Sequence, residues 1–285
     1  MRARDAERSF ARVIEFSCSV RGCGEPLSAR DRGLACPRGH AFDRARSGYV
    51  NLLQPQDRRS LAAGDSRDAV AARRRLYAAG AFEPLLAGLA ELVGALELPP
   101  RARVLDVGAG EGSVLARLAQ GFDLDAAGLD LSAFAAEAAA RAYPAHTWIV
   151  ANGDRRLPIR DGTLELVLSV TARRAPAEFA RVLAPGGRAL VVVPADDDLV
   201  ELRTELLGDG RALAGARTLA EEFAPLFRAR TEREWRGRVA LDAAALRDLA
   251  VATYRGARPV REARLAELAA LDVTFAWRAT LFERT

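Results

Sequence analysis

Val104-Leu105-Asp106-Val107-Gly108-Ala109-Gly110-Glu111-Gly112 is the stretch that decides the fold. An apolar run ends at Asp106, small residues follow, and a helical pattern begins at Ser113 and continues to Gln120. That order reads as a buried strand, a glycine turn and a helix. Glycines at 108, 110 and 112 let the backbone take positive φ and let a ligand approach the main chain with no Cβ in the way. The helix after the turn offers free backbone N–H groups, which suit the carboxylate or phosphate end of a nucleotide-like cofactor. Downstream, Ala126-Ala127-Gly128-Leu129-Asp130 reads as the next strand, with a carboxylate at its C-terminal end where a ribose ligand is needed. The competing reading is an unliganded turn with a helix-capping Asp; glycines and acids taken together favour a cofactor site.

Outward from this turn, residues 101–198 alternate strand and helix. Strands are expected near 103–107, 124–130, 147–151, 164–170 and 188–194, and helices near 112–120, 132–143 and 176–183. Such alternation implies an α/β fold with a doubly wound parallel sheet and ligands at the C-terminal ends of its strands. Pro185-Gly186-Gly187 reads as the turn into the fifth strand. Beyond 199 the pattern predicts a helix, a strand near 228–240, two short helices near 242–252 and 261–269, and a last strand near 271–283. Between 66 and 97 two helices are expected. Asp65-Ser66 caps the first, which carries Val70, Leu76 and Tyr77 beside Arg73, Arg74 and Arg75; the second presents Phe82, Leu85, Leu89, Leu92, Val93 and Leu96.

The chain has 285 residues, half of them apolar, enough for one large or two modest domains. No run of about eighteen apolar residues occurs and the first residues lack an apolar signal segment, so no membrane span is expected and a cytoplasmic location is. All 42 basic residues are arginine. Together with heavy alanine usage this reflects GC-rich coding, so arginine abundance alone says nothing about nucleic acid. Its distribution does: residues 1–76 hold 16 Arg against 9 acids, a net of +7, and the remaining 209 residues carry −3. A basic front end on a slightly acidic body suits an anionic partner. Residues 1–12 read as a frayed extension.

All three cysteines lie in the first 36 residues, followed closely by one of only two histidines. Cys18, Cys23, Cys36 and His40 form two close pairs of soft ligands, each on a tight turn, as a closed tetrahedral zinc site requires. The alternative is three buried free cysteines with a surface histidine; an odd, clustered set in an intracellular chain favours metal over disulfides. A structural zinc would also supply folding energy that so short a segment lacks.

The segment after the cluster, Gly39-His40-Ala41-Phe42-Asp43-Arg44-Ala45-Arg46-Ser47-Gly48-Tyr49-Val50-Asn51-Leu52-Leu53, is followed by Gly64-Asp65-Ser66, Ala72-Arg73-Arg74-Arg75, Ala79-Gly80 and Pro84-Leu85. With these features the chain, from about Cys18 to about Gly187, resembles the RlmA/TlrB group of 23S ribosomal RNA guanine-N1 methyltransferases. The glycine turn likewise resembles motif I of class I S-adenosylmethionine methyltransferases, whereas a NAD fingerprint places its third glycine one residue further on. The resemblance implies a class I (Rossmann-like) methyltransferase with a seven-strand doubly wound sheet and a small N-terminal zinc-binding domain. It divides the chain into a zinc-binding RNA-recognition head (1–60), a helical linker (61–100) and a methyltransferase domain (101–285). It further implies methylation of N1 of a guanine in a ribosomal RNA hairpin, a modification linked to macrolide resistance. Oligomeric state stays open, a homodimer included.

The resemblance also implies site residues. Asp106, Gly108, Ala109 and Gly110 would hold S-adenosylmethionine, with Asp130 on the ribose, Leu131 beside the adenine, and Asn152 or Asp154 on the adenine amino group. Residues 151–158 read equally well as an Asn-Gly turn with no ligand. Arg73, Arg74 and Arg75 are either a solvated helix face or, by the resemblance, contacts for RNA or the cofactor carboxylate. No catalytic residue is assigned. After the fourth strand the family's aromatic-Ala-Pro segment is replaced by Thr171-Ala172-Arg173, which makes Thr171, Arg173 and Arg174 the substrate-side candidates, the arginines by stacking on a base or binding phosphate. Other departures are Ser132-Ala133 for Ser-Lys, Ala252-Thr253-Tyr254-Arg255 where a tryptophan is expected, and Val20 at the position of the first cysteine, so that Cys18 must substitute. The altered acceptor segment leaves two alternatives: a small-molecule methyltransferase of the same fold, and a non-catalytic cofactor- and RNA-binding homologue. His146, ahead of a strand, and Trp148 and Trp235 read as surface or core residues rather than as a base or stacking platforms.

Overall fold

The computed structural model describes residues 14–57, 64–208, 218–253 and 259–285. The expectations for residues 1–12 and for Tyr254 and Arg255 lie outside them. The head consists of a three-stranded antiparallel sheet, β1 (Ser28–Arg30), β2 (Gly33–Ala35) and β3 (Ala41–Asp43), followed by the two-residue strand β4 (Val50–Asn51). Two helices then lead into the body. α1 (Arg67–Ala78) starts where the Ser66 side chain accepts the Ala69 N–H, and α2 (Glu83–Gly94) has a proline in its first turn.

The body continues β5 (Ala102–Val107), α3 (Ser113–Gly121), β6 (Leu124–Asp130), α4 (Ala133–Ala142), β7 (Thr147–Val150), β8 (Leu164–Val170), α5 (Pro176–Val182) and β9 (Leu183–Pro194). It closes with α6 (Val200–Leu207), α7 (Leu219–Phe223), β10 (Phe227–Asp242), α8 (Ala243–Thr253), α9 (Pro259–Glu267) and β11 (Ala270–Arg284). The sheet order is β10-β11-β9-β8-β5-β6-β7-β4. Strands β5 to β9 run parallel, and β11 is antiparallel to both β9 and β10. The seven expected strands with their antiparallel edge are all there.

Two differences from the sequence reading are informative. The expected turn at Pro185-Gly186-Gly187 lies inside β9. Leu183 already pairs with Leu164, and the register then slips so that Arg188 pairs with Leu166. The three residues are therefore a bulge, with Gly186 at φ +78°. The second difference is an eighth strand. β4 of the head adds in parallel to β7, with Val50 beside Ile149 and Asn51 beside Val150.

Alternate strand residues face opposite sides, so Val104, Leu166, Leu168 and Leu190 join one core while Leu105, Val107, Val167 and Val191 join the other. Trp148 is buried in the first of these, and Trp235 packs against it, as expected. The second core also contains the head residues Phe16, Cys18, Leu34, Val50 and Leu52. The head thus covers part of one sheet face, and its apolar residues share a core with the methyltransferase sheet.

Candidate functional site

The C-terminal ends of β5, β6 and β8 open into a cavity of about 260 Å³. All eight residues expected at a cofactor, Asp106, Gly108, Ala109, Gly110, Asp130, Leu131, Asn152 and Asp154, line it. Sterics explain the glycines. Gly108 sits at φ +84°, and a Cβ there would lie 2.3 Å from that of Ala172; Gly112 sits at φ +87°, and a Cβ there would meet the Trp148 ring at 2.4 Å. The turn is tied to the neighbouring strand by Gly108 N–H and Ala109 N–H, both donating to Leu129 O at 2.7 and 3.0 Å. Asp130 completes it, its two carboxylate oxygens accepting Gly110 N–H at 2.9 Å and Ser132 N–H at 2.7 Å.

Acids crowd this cavity. Asp106 is 1% exposed and its Oδ1 has no hydrogen-bond partner. Burial, with Asp130 and Glu111 nearby, pushes its carboxyl up to about 7. Burial also raises Glu111 and Asp130 above the usual carboxylate range. The facing cation is Arg73, which donates to Asp65 at 2.8 Å and to Ala252 O at 3.2 Å and lies 3.7 Å from Glu111. Of the three consecutive arginines, Arg73 lines the cavity, Arg75 pairs with Asp248 and Arg74 is exposed. Tyr77, one helical turn beyond Arg73, lines the cavity too. The sequence pattern by itself reads Tyr77 as helix packing and Asp65 as a cap. The available signal was the i,i+4 spacing of Arg73 and Tyr77, which puts both on one helix face.

The substrate-side candidates divide. Thr171 and Arg173 line the cavity. Thr171 holds φ +51°, a strained setting for a β-branched residue of the kind found at functional sites. Arg173 pairs with Asp154 at 3.1 Å. Arg174 is not among the lining residues and pairs with Glu222 at 2.8 Å. Asn152 is both turn and wall, since its Oδ1 accepts Asp154 N–H at 2.9 Å and its Nδ2 donates to Asp57 O at 3.0 Å. His146 is half-buried against Trp148 and is not a lining residue; burial lowers its imidazole below the ordinary value.

In the head, the ligand atoms of Cys18, Cys23, Cys36 and His40 lie within 4.8 Å of one another. Tetrahedral zinc with ordinary Zn–S and Zn–N bonds sets S···S at about 3.8 Å and S···N at about 3.6 Å. The observed edges are 3.9 Å for Cys23 to Cys36, and 3.4 and 3.5 Å from His40 Nδ1 to Cys18 and Cys36. Burial pushes the Cys18 thiol up to about 12, so a thiolate at that position calls for a bound cation. The donor set fits zinc in number, type and spacing.

Residues 16–61 match the family model for the N-terminal zinc ribbon of RlmA, and residues 104–187 match a methyltransferase domain model. The chain is 43% identical over 237 residues to the 23S rRNA (guanine(748)-N(1))-methyltransferase of Streptomyces fradiae, covering 79% of this chain and 80% of that one. Two relatives carry provisional names of the same class. They come from Micromonospora griseorubida, at 40% identity over 63% of this chain and 66% of that one, and from Bacillus subtilis, at 36% over 74% and 76%. The chain belongs to the RlmA/TlrB group of 23S ribosomal RNA (guanine-N1) methyltransferases. It is therefore an S-adenosylmethionine-dependent methyltransferase with a structural zinc ribbon.

Within the RlmA/TlrB group, the structure shows what its sequence departures do. Val20 stands where the first cysteine is expected, and Cys18 joins the ligand cluster instead; Val20 contributes its carbonyl to the knuckle, accepting Cys23 N–H at 2.9 Å. At the acceptor segment, Ala172 packs on Gly108, and Arg173 replaces a proline with a charge that reaches Asp154. Ser132, retained from the Ser-Lys pair, caps α4 and donates to Asp65 O at 2.7 Å.

Proposed function

We propose that the chain transfers the methyl group of S-adenosylmethionine to N1 of a guanine in a 23S ribosomal RNA hairpin. The observation that carries this is the 43% identity to the Streptomyces fradiae enzyme over 80% of its length. The cofactor supplies an electrophilic methyl on a positively charged sulfur. The residues lining the cavity would hold it, Asp130 at the ribose hydroxyls, the backbone turn at 108–110 along its length and Arg73 at its carboxylate. Asp106 and Glu111, which line the same cavity, would supply negative charge to a cationic cofactor bound there. Guanine N1 loses a proton during or after attack, which a carboxylate or an ordered water near it would take. The Thr171-Ala172-Arg173 segment holds the base without an aromatic ring, which leaves the Arg173 guanidinium as its stacking or phosphate contact.

That same segment favours the second reading, a small-molecule methyltransferase. Mass spectrometry of digested ribosomal RNA from cells with and without the gene separates the two. N1-methylguanosine that depends on the gene supports the RNA reading, and identical nucleoside profiles sink it. A macrolide sensitivity assay on the same strains tests the link to resistance. A cytoplasmic location goes with a ribosomal substrate, and no single helix among the described residues is long and apolar enough to cross a membrane.

A further inference from the structure

Beside the cofactor cavity lies a larger groove of about 530 Å³, within the roughly 300–1,000 Å³ of ligand clefts. One wall is the first zinc knuckle, residues 17–24, and the other is the loop after β7, residues 151–158. Asn152 lines both cavities, so the groove leads toward the cofactor site.

The lining is cationic and free of aromatic rings. Arg21 comes from the knuckle, and Arg155 and Arg156 come from the loop, all three exposed. Asp57 is the sole carboxylate among the lining residues. Elsewhere on the protein surface Arg101, Arg117, Arg141 and Arg160 each hold a carboxylate. In the groove, Arg21 and Arg155 have no ion pair among the described residues, and Arg156 has only a 3.5 Å contact with exposed Asp161. Arginines left without acids and drawn from two distant segments suit phosphates. Without a ring to stack on, bases gain little there, so the recognised chemistry is the sugar–phosphate chain rather than a nucleobase.

We propose that this groove binds the RNA backbone flanking the acceptor base, with Arg21, Arg155 and Arg156 on phosphates, while the base itself is held at Thr171-Ala172-Arg173 on the acceptor side of the cofactor cavity. This rests on the RNA reading above and adds to it a path for the strand.

The test uses full-length, zinc-loaded protein and a synthetic 23S ribosomal RNA hairpin, with binding followed across a salt series. Each phosphate contact contributes about 0.7–0.9 to the slope of log K against log salt. The Arg21→Ala/Arg155→Ala double variant should therefore lower that slope by about 1.4–1.8. The drop should be equal for the cognate hairpin and for one lacking the target guanine, because phosphate contacts carry no sequence information. Zinc content and S-adenosylmethionine affinity should match wild type, which shows the variant is folded. Arg228→Ala/Arg233→Ala, on exposed positions of the edge strand β10, should leave the slope unchanged. A wild-type slope in the groove variant, or an equal drop in the β10 control, overturns the groove assignment while the RNA reading stands. A wild-type protein that neither binds nor methylates the hairpin overturns the RNA reading itself, and the groove proposal with it.

Discussion

Asp106→Asn should make the cofactor-free protein more stable at pH 8 while weakening its hold on S-adenosylmethionine. The carboxylate is 1% exposed, its Oδ1 is unpartnered, and burial together with Asp130 and Glu111 lifts it from its ordinary 3.8 to about 7. A folded-state value above the unfolded one means the proton binds more tightly in the folded protein. The stability this confers is complete below about pH 4 and is lost as pH rises to about 7. At 1.36 kcal/mol per tenfold change in proton affinity, the full loss is roughly 4 kcal/mol, of which roughly 2–3 kcal/mol falls between pH 5 and pH 8. Asparagine has the same shape and no charge, and it brings a buried amide donor that costs about 1–3 kcal/mol if unsatisfied. The net gain at pH 8 is then about 1–3 kcal/mol, or about 2–6 °C in melting temperature at this chain length. At pH 5 the gain should shrink or reverse.

Thermal melts of both proteins at pH 5 and pH 8 read the prediction as a difference of differences, which cancels the parallel titration of Glu111 and Asp130. Calorimetry near pH 7 in buffers of different ionisation enthalpy supplies a second readout. A cationic cofactor beside Asp106 stabilises its ionised form, so binding should release protons from the wild type and fewer from the variant. If the variant's advantage is the same at both pH values, Asp106 does not carry the electrostatic cost and the reasoning fails.

Cys36→Ser should lose the zinc that wild type carries at one four-ligand site per chain, as read by metal analysis; full retention removes Cys36 from the ligand set. Asp130→Ala should weaken S-adenosylmethionine by about 1.5–3 kcal/mol in calorimetry, and because Gly110 N–H and Ser132 N–H lose their acceptor it should also lower the melting temperature. Gly108→Ala places a methyl 2.3 Å from Ala172 at φ +84°, so a loss of at least about 1–2 kcal/mol of stability is expected together with lower cofactor affinity, and an unchanged melt would refute that steric account. Chelating the zinc should reduce cofactor affinity as well, because the head's Asp57 carbonyl holds Asn152 on the cavity wall; equal affinity in metal-free and zinc-loaded protein would show that the two sites are independent.

The parts of the site legible in the sequence are those whose chemistry is local. Three glycines in five residues, an acid closing the next strand and four soft ligands on two tight turns each state a requirement within a few residues, and the structure brings each group together. Arg73 and Tyr77 were harder, because their role depends on where α1 lies, and α1 is held by long-range packing on α8. The acceptor side was hardest. Nothing in Thr171-Ala172-Arg173 announces that Arg173 will find Asp154, nineteen residues away in sequence, or that Arg174 will turn to Glu222. The eighth strand leaves no signature in the sequence because two residues are too few for a period-two pattern to register.

That short strand settles how the head relates to the body. Separate domains joined through a small interface move by default, yet here β4 pairs with β7, Leu52 N–H donates to Val150 O at 2.9 Å, Ser17 N–H donates to Pro158 O at 3.0 Å, and Phe16 bridges to Ile159. Val50 and Leu52 are 0% and 1% exposed. Burying two such side chains contributes about 1.5–3 kcal/mol each, and the interstrand hydrogen bonds add about 0.5–1.5 kcal/mol apiece. The sum is several kcal/mol, many times thermal energy, so swinging the head away from the sheet is a rare event. The zinc site is then held at a fixed separation from the cofactor cavity, and an RNA docked on the knuckle, as proposed, would be positioned relative to the methyl group by the sheet itself. Deleting residues 1–60 would accordingly strip a strand and a core layer from the methyltransferase sheet. Loss of RNA binding in such a truncation would not distinguish a missing contact from a damaged fold, which is why the surface arginines are the sharper probe.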